Sequence, residues 1–139
     1  MQIIFISHSS TACLTDPLVI QIWGGDLNAL PDMTPGDSPY RIMASYMRDS
    51  LLDVYGPDAS DDPMFYTYGN RRNSFSADTH LPGRIDYIFH MSRPGVKVRT
   101  KRFELPPLQA LVDGRWVSIT DHEPLLAELD IRRNKPSYG

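Results

Sequence analysis

An α+β fold, sheet with one helix laid on a face, is predicted by three features of this 139-residue chain. One early stretch repeats its apolar residues with a helical period. Several later stretches alternate, or run apolar, over strand lengths. The order is strand, helix, then strands, with no internal repeat and no low-complexity tract. Twelve prolines and nine glycines supply stiff turns, more than a helix bundle tolerates. The length suits one domain with a real core.

The first element is Leu18-Val19-Ile20-Gln21-Ile22-Trp23, mostly apolar and β-branched, which runs into Gly24 and Gly25. It predicts a strand buried on both faces that stops at the glycines, where the backbone turns or closely approaches a neighbour. Trp23 reads as core. A loop over 31–39 leads to Ser38 as N-cap and Pro39 at the first helical position. From there a single helix is predicted to about Val54, with Ile42, Met43, Tyr46, Met47, Leu51 and Val54 near one stripe. Gly56-Pro57 ends it.

Residues 56–83 read as loop. Asp58, Asp61 and Asp62 lack the spacing of a calcium loop and read as solvated. Strands then resume. Ile85, Tyr87, Phe89 and Met91 alternate with Arg84, Asp86, Ile88 and His90, which puts Asp86 on the face opposite the aromatics. Val96–Leu105 is a further strand. Leu108–Val112 and Arg115–Ile119 flank Asp113-Gly114, a strong hairpin signal. Leu125–Ile131 is the last strand, and 132–139 reads as a frayed tail.

Composition narrows the functional classes. A net charge of −3 disfavours a protein that coats nucleic acid. The single cysteine, Cys13, allows neither an intrachain disulfide nor a thiolate metal cluster. The N-terminus lacks a basic, secretory-type leader, and no apolar run approaches the roughly 18 residues of a membrane span. An intracellular setting follows as the expectation, cytoplasmic or peripheral to a membrane. Lys97, Arg99 and Lys101 form a basic stripe that reads mainly as the solvated face of an edge strand, and secondarily as a surface for anionic lipid or phosphate.

Three polar clusters lie against these apolar runs: Gly25-Asp26-Leu27-Asn28, Arg84-Ile85-Asp86-Tyr87 and Thr120-Asp121-His122-Glu123-Pro124. They hold the parts for metal-assisted attack of water on a phosphodiester. Asp26 and Asn28, one residue apart, would face the same side of an extended segment, although both are also ordinary turn residues. Asp86 sits inside an apolar strand, where a carboxylate needs a partner, and His122 or Arg84 is the obvious one. His122 suits the role of general base, held by a carboxylate that fixes its tautomer. Spacing alone leaves Asp86 and Asp121 as equal candidates for that carboxylate. Tyr66, Tyr68, Arg71 and Arg72 are within the class of residues that touch a head group.

At these spacings and in this order, the clusters resemble the C-terminal half of the endonuclease/exonuclease/phosphatase superfamily, the DNase I-like fold. Its members carry a Gly-Asp-x-Asn segment, an Arg-x-Asp-Tyr strand and a Ser-Asp-His triplet, the last with Thr120 for serine here. The resemblance implies a two-sheet β-sandwich with a flanking helix. It covers about 17–131 as a partial domain, with 1–16 as a non-matching segment and 132–139 as a tail. It implies His122 as base, Asp86 as its orienting acid, Asp121 as a metal ligand, and Asp26 with Asn28 positioning water or phosphoryl oxygens.

Within the superfamily the chain is most similar to neutral sphingomyelinases and their relatives acting on inositol phosphosphingolipids. The residues concerned are Leu81 to Phe89, Phe103-Glu104-Leu105 and Thr120 to Ala127. The implied function is magnesium-dependent phospholipase C-type hydrolysis of a sphingolipid. A nuclease or phosphatase of the same fold, and a catalytically inactive remnant or interaction module, are the alternatives. Family members are about twice as long, and their main metal-binding glutamate lies in the N-terminal half. Residues 1–16 offer His8 and Asp16 but no glutamate, so a C-terminal fragment with little activity alone is expected. A sandwich half leaves an apolar face uncovered, which predicts self-association.

Overall fold

The computed structural model describes residues 20–31, 38–75 and 82–133. Segment 1–16, with His8, Cys13 and Asp16, lies outside the described residues. The architecture is α+β with antiparallel sheets, as the patterning predicts. Strand β1 spans Gln21–Asp26, and therefore continues through both glycines instead of stopping before them. The glycines serve close approach, not a turn: a Cβ on Gly25 would meet the Trp23 ring at 2.9 Å. Trp23 folds over the next same-face residue of its own strand and tilts against Phe89 at 6.0 Å. β1 is half-buried, not enclosed on both faces. It is an edge strand of its sheet among the described residues, which explains the difference.

The single helix expected over 39–54 is two helices. Helix α1, Pro39–Tyr46, begins at the predicted cap, where the Ser38 hydroxyl accepts the Arg41 N–H at 3.2 Å. The chain then turns extended at Met47 and forms the short strand β2, Arg48–Asp49. Asp49 caps helix α2, Ser50–Tyr55, by accepting the Leu51 N–H at 3.0 Å. Gly56 ends α2 at φ 83°, a backbone state that favours glycine. Two 3₁₀ turns, Pro57–Asp61 and Pro63–Phe65, follow within the predicted loop.

Strand β3, Asp86–Met91, is the centre of the molecule. It pairs antiparallel with β1 on one side and β2 on the other. Tyr87 and Phe89 pack with Ala29 and Tyr40 on one face, against α1. Ile88 packs on the other face with Leu51 of α2 and residues from two further strands. Those strands are β4, Val96–Glu104, and β7, Leu126–Arg133, which pair antiparallel with a bulge between Thr100 and Arg102. Val98, Phe103, Ala127, Leu129 and Ile131 turn inward, and burial of each of these except Ala127 stabilises by about 1.5–3 kcal/mol relative to exposure. Lys97, Arg99 and Lys101 face outward and are exposed, as the solvated-face reading expects.

Strands β5, Gln109–Val112, and β6, Arg115–Ser118, form the predicted hairpin. Asp113 and Gly114 have φ of 48° and 75°, the left-handed pair that a tight two-residue turn requires. Leu111, Val112 and Trp116 of the hairpin are exposed. Arg132 and Arg133, expected in the tail, instead extend β7, because they find partners opposite Lys97 and Val96.

Candidate active site

Antiparallel pairing of β1 with β3 sets Asp26 directly opposite Asp86. Cross-strand neighbours share a face, so two carboxylates are brought side by side, an arrangement that is unfavourable without a compensating group. The compensating group is His122. Its Nδ1–H donates to Asp86 Oδ2 at 2.7 Å. Donor atoms of Asp26, Asp86 and His122 all lie within 4.8 Å of one another. Asp86 is buried, while the His122 side chain is 29% exposed and so reachable by water.

Of the two expected partners of Asp86, His122 is the one hydrogen-bonded to it. Arg84 turns away from it, fully buried, and its Nη1 donates to Asp49 Oδ2 at 2.7 Å. Its guanidinium also lies over the Tyr40 and Tyr87 rings, 5.6 and 4.6 Å from their centroids. Burial, and next the Asp49 carboxylate, push the Tyr40 hydroxyl up to about 12. Burial likewise raises Tyr87, whose hydroxyl lies 2.6 Å from the carbonyl oxygens of both Ala29 and Arg84. The Arg84-x-Asp86-Tyr87 motif thus divides its labour. Arg84 and Tyr87 brace the strand start, and Asp86 alone faces the site.

Asn28 does not extend the strand geometry expected of it. It adopts φ 50°, and its backbone N–H donates to Asp26 Oδ1 at 2.7 Å. This is the turn alternative, an Asx turn that holds one oxygen of Asp26 and fixes the carboxylate's direction. Asp121 is exposed and is not in the convergent group; the Thr120 hydroxyl lies 3.5 Å from its carboxylate. Thr120 also accepts the His122 N–H at 3.2 Å, so the hydroxyl shared by threonine and serine shapes the loop.

The donor set bears on the expected magnesium ion. Nδ1 and Oδ2 at 2.7 Å are at direct hydrogen-bond distance, so these two atoms are engaged with each other. Within the convergent group Asp26 is the carboxylate not engaged with the imidazole, and Asp121 is a further carboxylate outside it. They fit magnesium in kind, since that ion takes carboxylate oxygens and fills its shell with water and phosphate.

One feature had no sequence signal pointing to the site, and one member of the third cluster carried no assigned role. Thr67, in the stretch read as loop, is fully buried and accepts the N–H groups of both Ile85 and Asp86 at 3.0 Å. Glu123 is buried and lines a cavity of about 180 Å³ with Arg72, Leu105, Leu108 and Ser118. Burial raises the Glu123 carboxyl above its ordinary value, and Arg72 only partly offsets this. Comparison with protein-family models, with curated proteins and with solved structures yields no match.

Proposed function

We propose that this chain is the catalytic-base half of a magnesium-dependent phosphodiesterase of DNase I-like fold, hydrolysing a sphingolipid in the phospholipase C manner. The observation that supports it most is the convergence of Asp26, Asp86 and His122 from three separated segments. Asp86 holds the tautomer with the proton on Nδ1, which leaves the Nε2 lone pair to take a proton from water. The Asp86 carboxylate then stabilises the imidazolium that forms. Asp26, its direction set by the Asn28 N–H, orients the water or the phosphoryl group beside it. By the resemblance Asp121 would hold the magnesium ion, and it stands outside the Asp26, Asp86 and His122 group. When bound, the ion supplies positive charge to the phosphoryl oxygens as the transition state develops.

The lipid substrate is favoured over nucleic acid by the net charge of −3, which gives little attraction for a polyanion. No helix among the described residues is long and apolar enough to cross a membrane. Association with a second copy, expected from an uncovered apolar face, finds Leu111, Val112 and Trp116 exposed on the β5–β6 hairpin. Sedimentation velocity across a concentration series checks it.

The functional test is release of choline phosphate from labelled sphingomyelin with and without magnesium. Magnesium-dependent release that is lost in His122→Ala supports the reading. Release unchanged by that substitution overturns it, and hydrolysis of DNA or of a phosphomonoester instead moves the assignment to a nuclease or phosphatase. No turnover by the chain alone that is rescued by adding an N-terminal half supports the fragment reading, and no turnover in either case favours the inactive interaction module.

A further inference from the structure

The dyad joins residues 36 positions apart, on β3 and on the loop before β7. A 2.7 Å hydrogen bond does not by itself hold two backbones in place. Thr67 and Tyr68 connect them. The Thr67 Oγ1 takes two N–H groups, those of Ile85 and Asp86, each at 3.0 Å, on the two lone pairs of one hydroxyl oxygen. The carbonyl of the same residue accepts the Glu123 N–H at 2.7 Å, next to the histidine. Tyr68 continues the link, bridging by backbone to both Gly83 and His122. Its ring lies 5.2 Å from the His122 ring, tilted by 50°.

Thr67 sits in the middle of these contacts with no exposed surface. Its hydroxyl fixes the backbone of the acid, its carbonyl fixes the backbone beside the base, and its neighbour packs on the imidazole. Ile85 lies just before β3, and its carbonyl takes the Leu27 N–H at 2.9 Å. We propose that Thr67 and Tyr68 are the positioning residues of the site, a clamp that sets the Asp86–His122 distance and the imidazole plane. Neither touches the reacting atoms in this role. Its consequence for turnover rests on the hydrolase reading above, while its effect on the imidazole does not.

The experiment is long-range ¹H–¹⁵N NMR of the histidine rings in the full chain, with His122→Ala to assign the signal, alongside turnover. In the unchanged protein His122 is expected as a single tautomer protonated at Nδ1, with a downfield Nδ1 proton. Thr67→Val keeps the shape but orphans two N–H groups. It is expected to mix the tautomers, erase the downfield proton and lower kcat at least ~10-fold with KM within about 2-fold. Thr67→Ser, which keeps the acceptor, is expected to restore both. Tyr68→Leu is expected to broaden the His122 ring signals and lower kcat by about 5-fold through lost ring orientation.

A folded Thr67→Val protein with an unaltered His122 tautomer and unaltered kcat overturns the proposal. If that variant gives no cooperative melt, Tyr68→Leu decides, and an unchanged His122 spectrum there overturns it. If no phosphodiester is turned over by any form, the NMR arm alone decides, so failure of the hydrolase reading is told apart from failure of the clamp.

Discussion

The same strand face of β3 carries two aspartate–histidine pairs. At its start Asp86 accepts from His122 at 2.7 Å. Four residues on, about 13 Å along the strand, His90 Nε2 lies 2.9 Å from Asp53 Oδ2 under helix α2. Composition and distance are nearly alike, and surroundings are not. The His122 side chain is 29% exposed, whereas His90 is sealed, with Asp53 also contacting Arg48 and the Thr100 N–H. His90 Nδ1 is buried without a partner among the described residues. Burial holds the His90 imidazole below its ordinary value of 6.5, outweighing the attraction of Asp53. A dyad open to water can move a proton. A sealed one ties α2 and β4 to the central sheet.

The largest expected effect separates the two pairs by activity. His122→Ala should lower turnover by about 10³-fold, the usual worth of a positioned base, and change stability by less than about 1 kcal/mol. Asp86→Asn should lose about 10²-fold, because the amide no longer stabilises the imidazolium. His90→Ala should do the reverse. The cavity and the lost hydrogen bond to Asp53 should cost about 3 kcal/mol in urea unfolding. A stable, inactive His90→Ala protein would break the comparison.

A second test concerns the brace shared by the start of β3. Arg84→Ala leaves the buried Asp49 carboxylate uncompensated and should destabilise by about 4 kcal/mol, measured by urea denaturation. Loss on that scale with a preserved His122 ring spectrum in the folded fraction would show that bracing and proton transfer are separable.

The smallest effect is one of pH. The folded-state pKa of His90 lies below the unfolded one, so the unfolded chain binds the extra proton between those values. Its contribution to stability is therefore complete above about 6.5 and is lost as pH falls below it, by at most about 1.4 kcal/mol per pH unit. Glu123 has the opposite sign. Its raised pKa makes the folded form bind the extra proton, so its contribution is complete below 4.5 and is lost as pH rises through the folded value. His90→Gln should flatten the slope just under 6.5 in melts taken across pH, and Glu123→Gln should flatten the one above 4.5.

Local signals were legible in the sequence and distant ones were not. Ser38-Pro39, Asp113-Gly114 and the alternation from Arg84 to Met91 are read correctly because each depends on near neighbours. The split of the expected helix was hidden. The apolar stripe runs on past Met47, but Asp49 forms contacts with Arg84, 35 residues away, that a continuous helix does not describe. Within the candidate site, the residue types were legible and the pairing only in part. Asp86 was visible as a carboxylate needing a partner, yet that partner comes from 36 residues further on. Asn28 follows the turn rule over the strand rule, because its N–H has the Asp26 oxygen to bind. Thr67 was invisible, being one threonine in a loop whose importance comes wholly from what folds around it.

Asp49 caps α2 through one oxygen, while its other oxygen meets Arg84 and the Tyr40 hydroxyl at 3.1 Å. One carboxylate therefore links the start of a helix, the entry to the central strand and the residue that covers its aromatic face. α2 cannot unwind at its first turn without releasing Arg84 as well. In native-state hydrogen exchange the Leu51 amide and the amides of early β3 should open together as one unit, with a common free energy and a common response to denaturant.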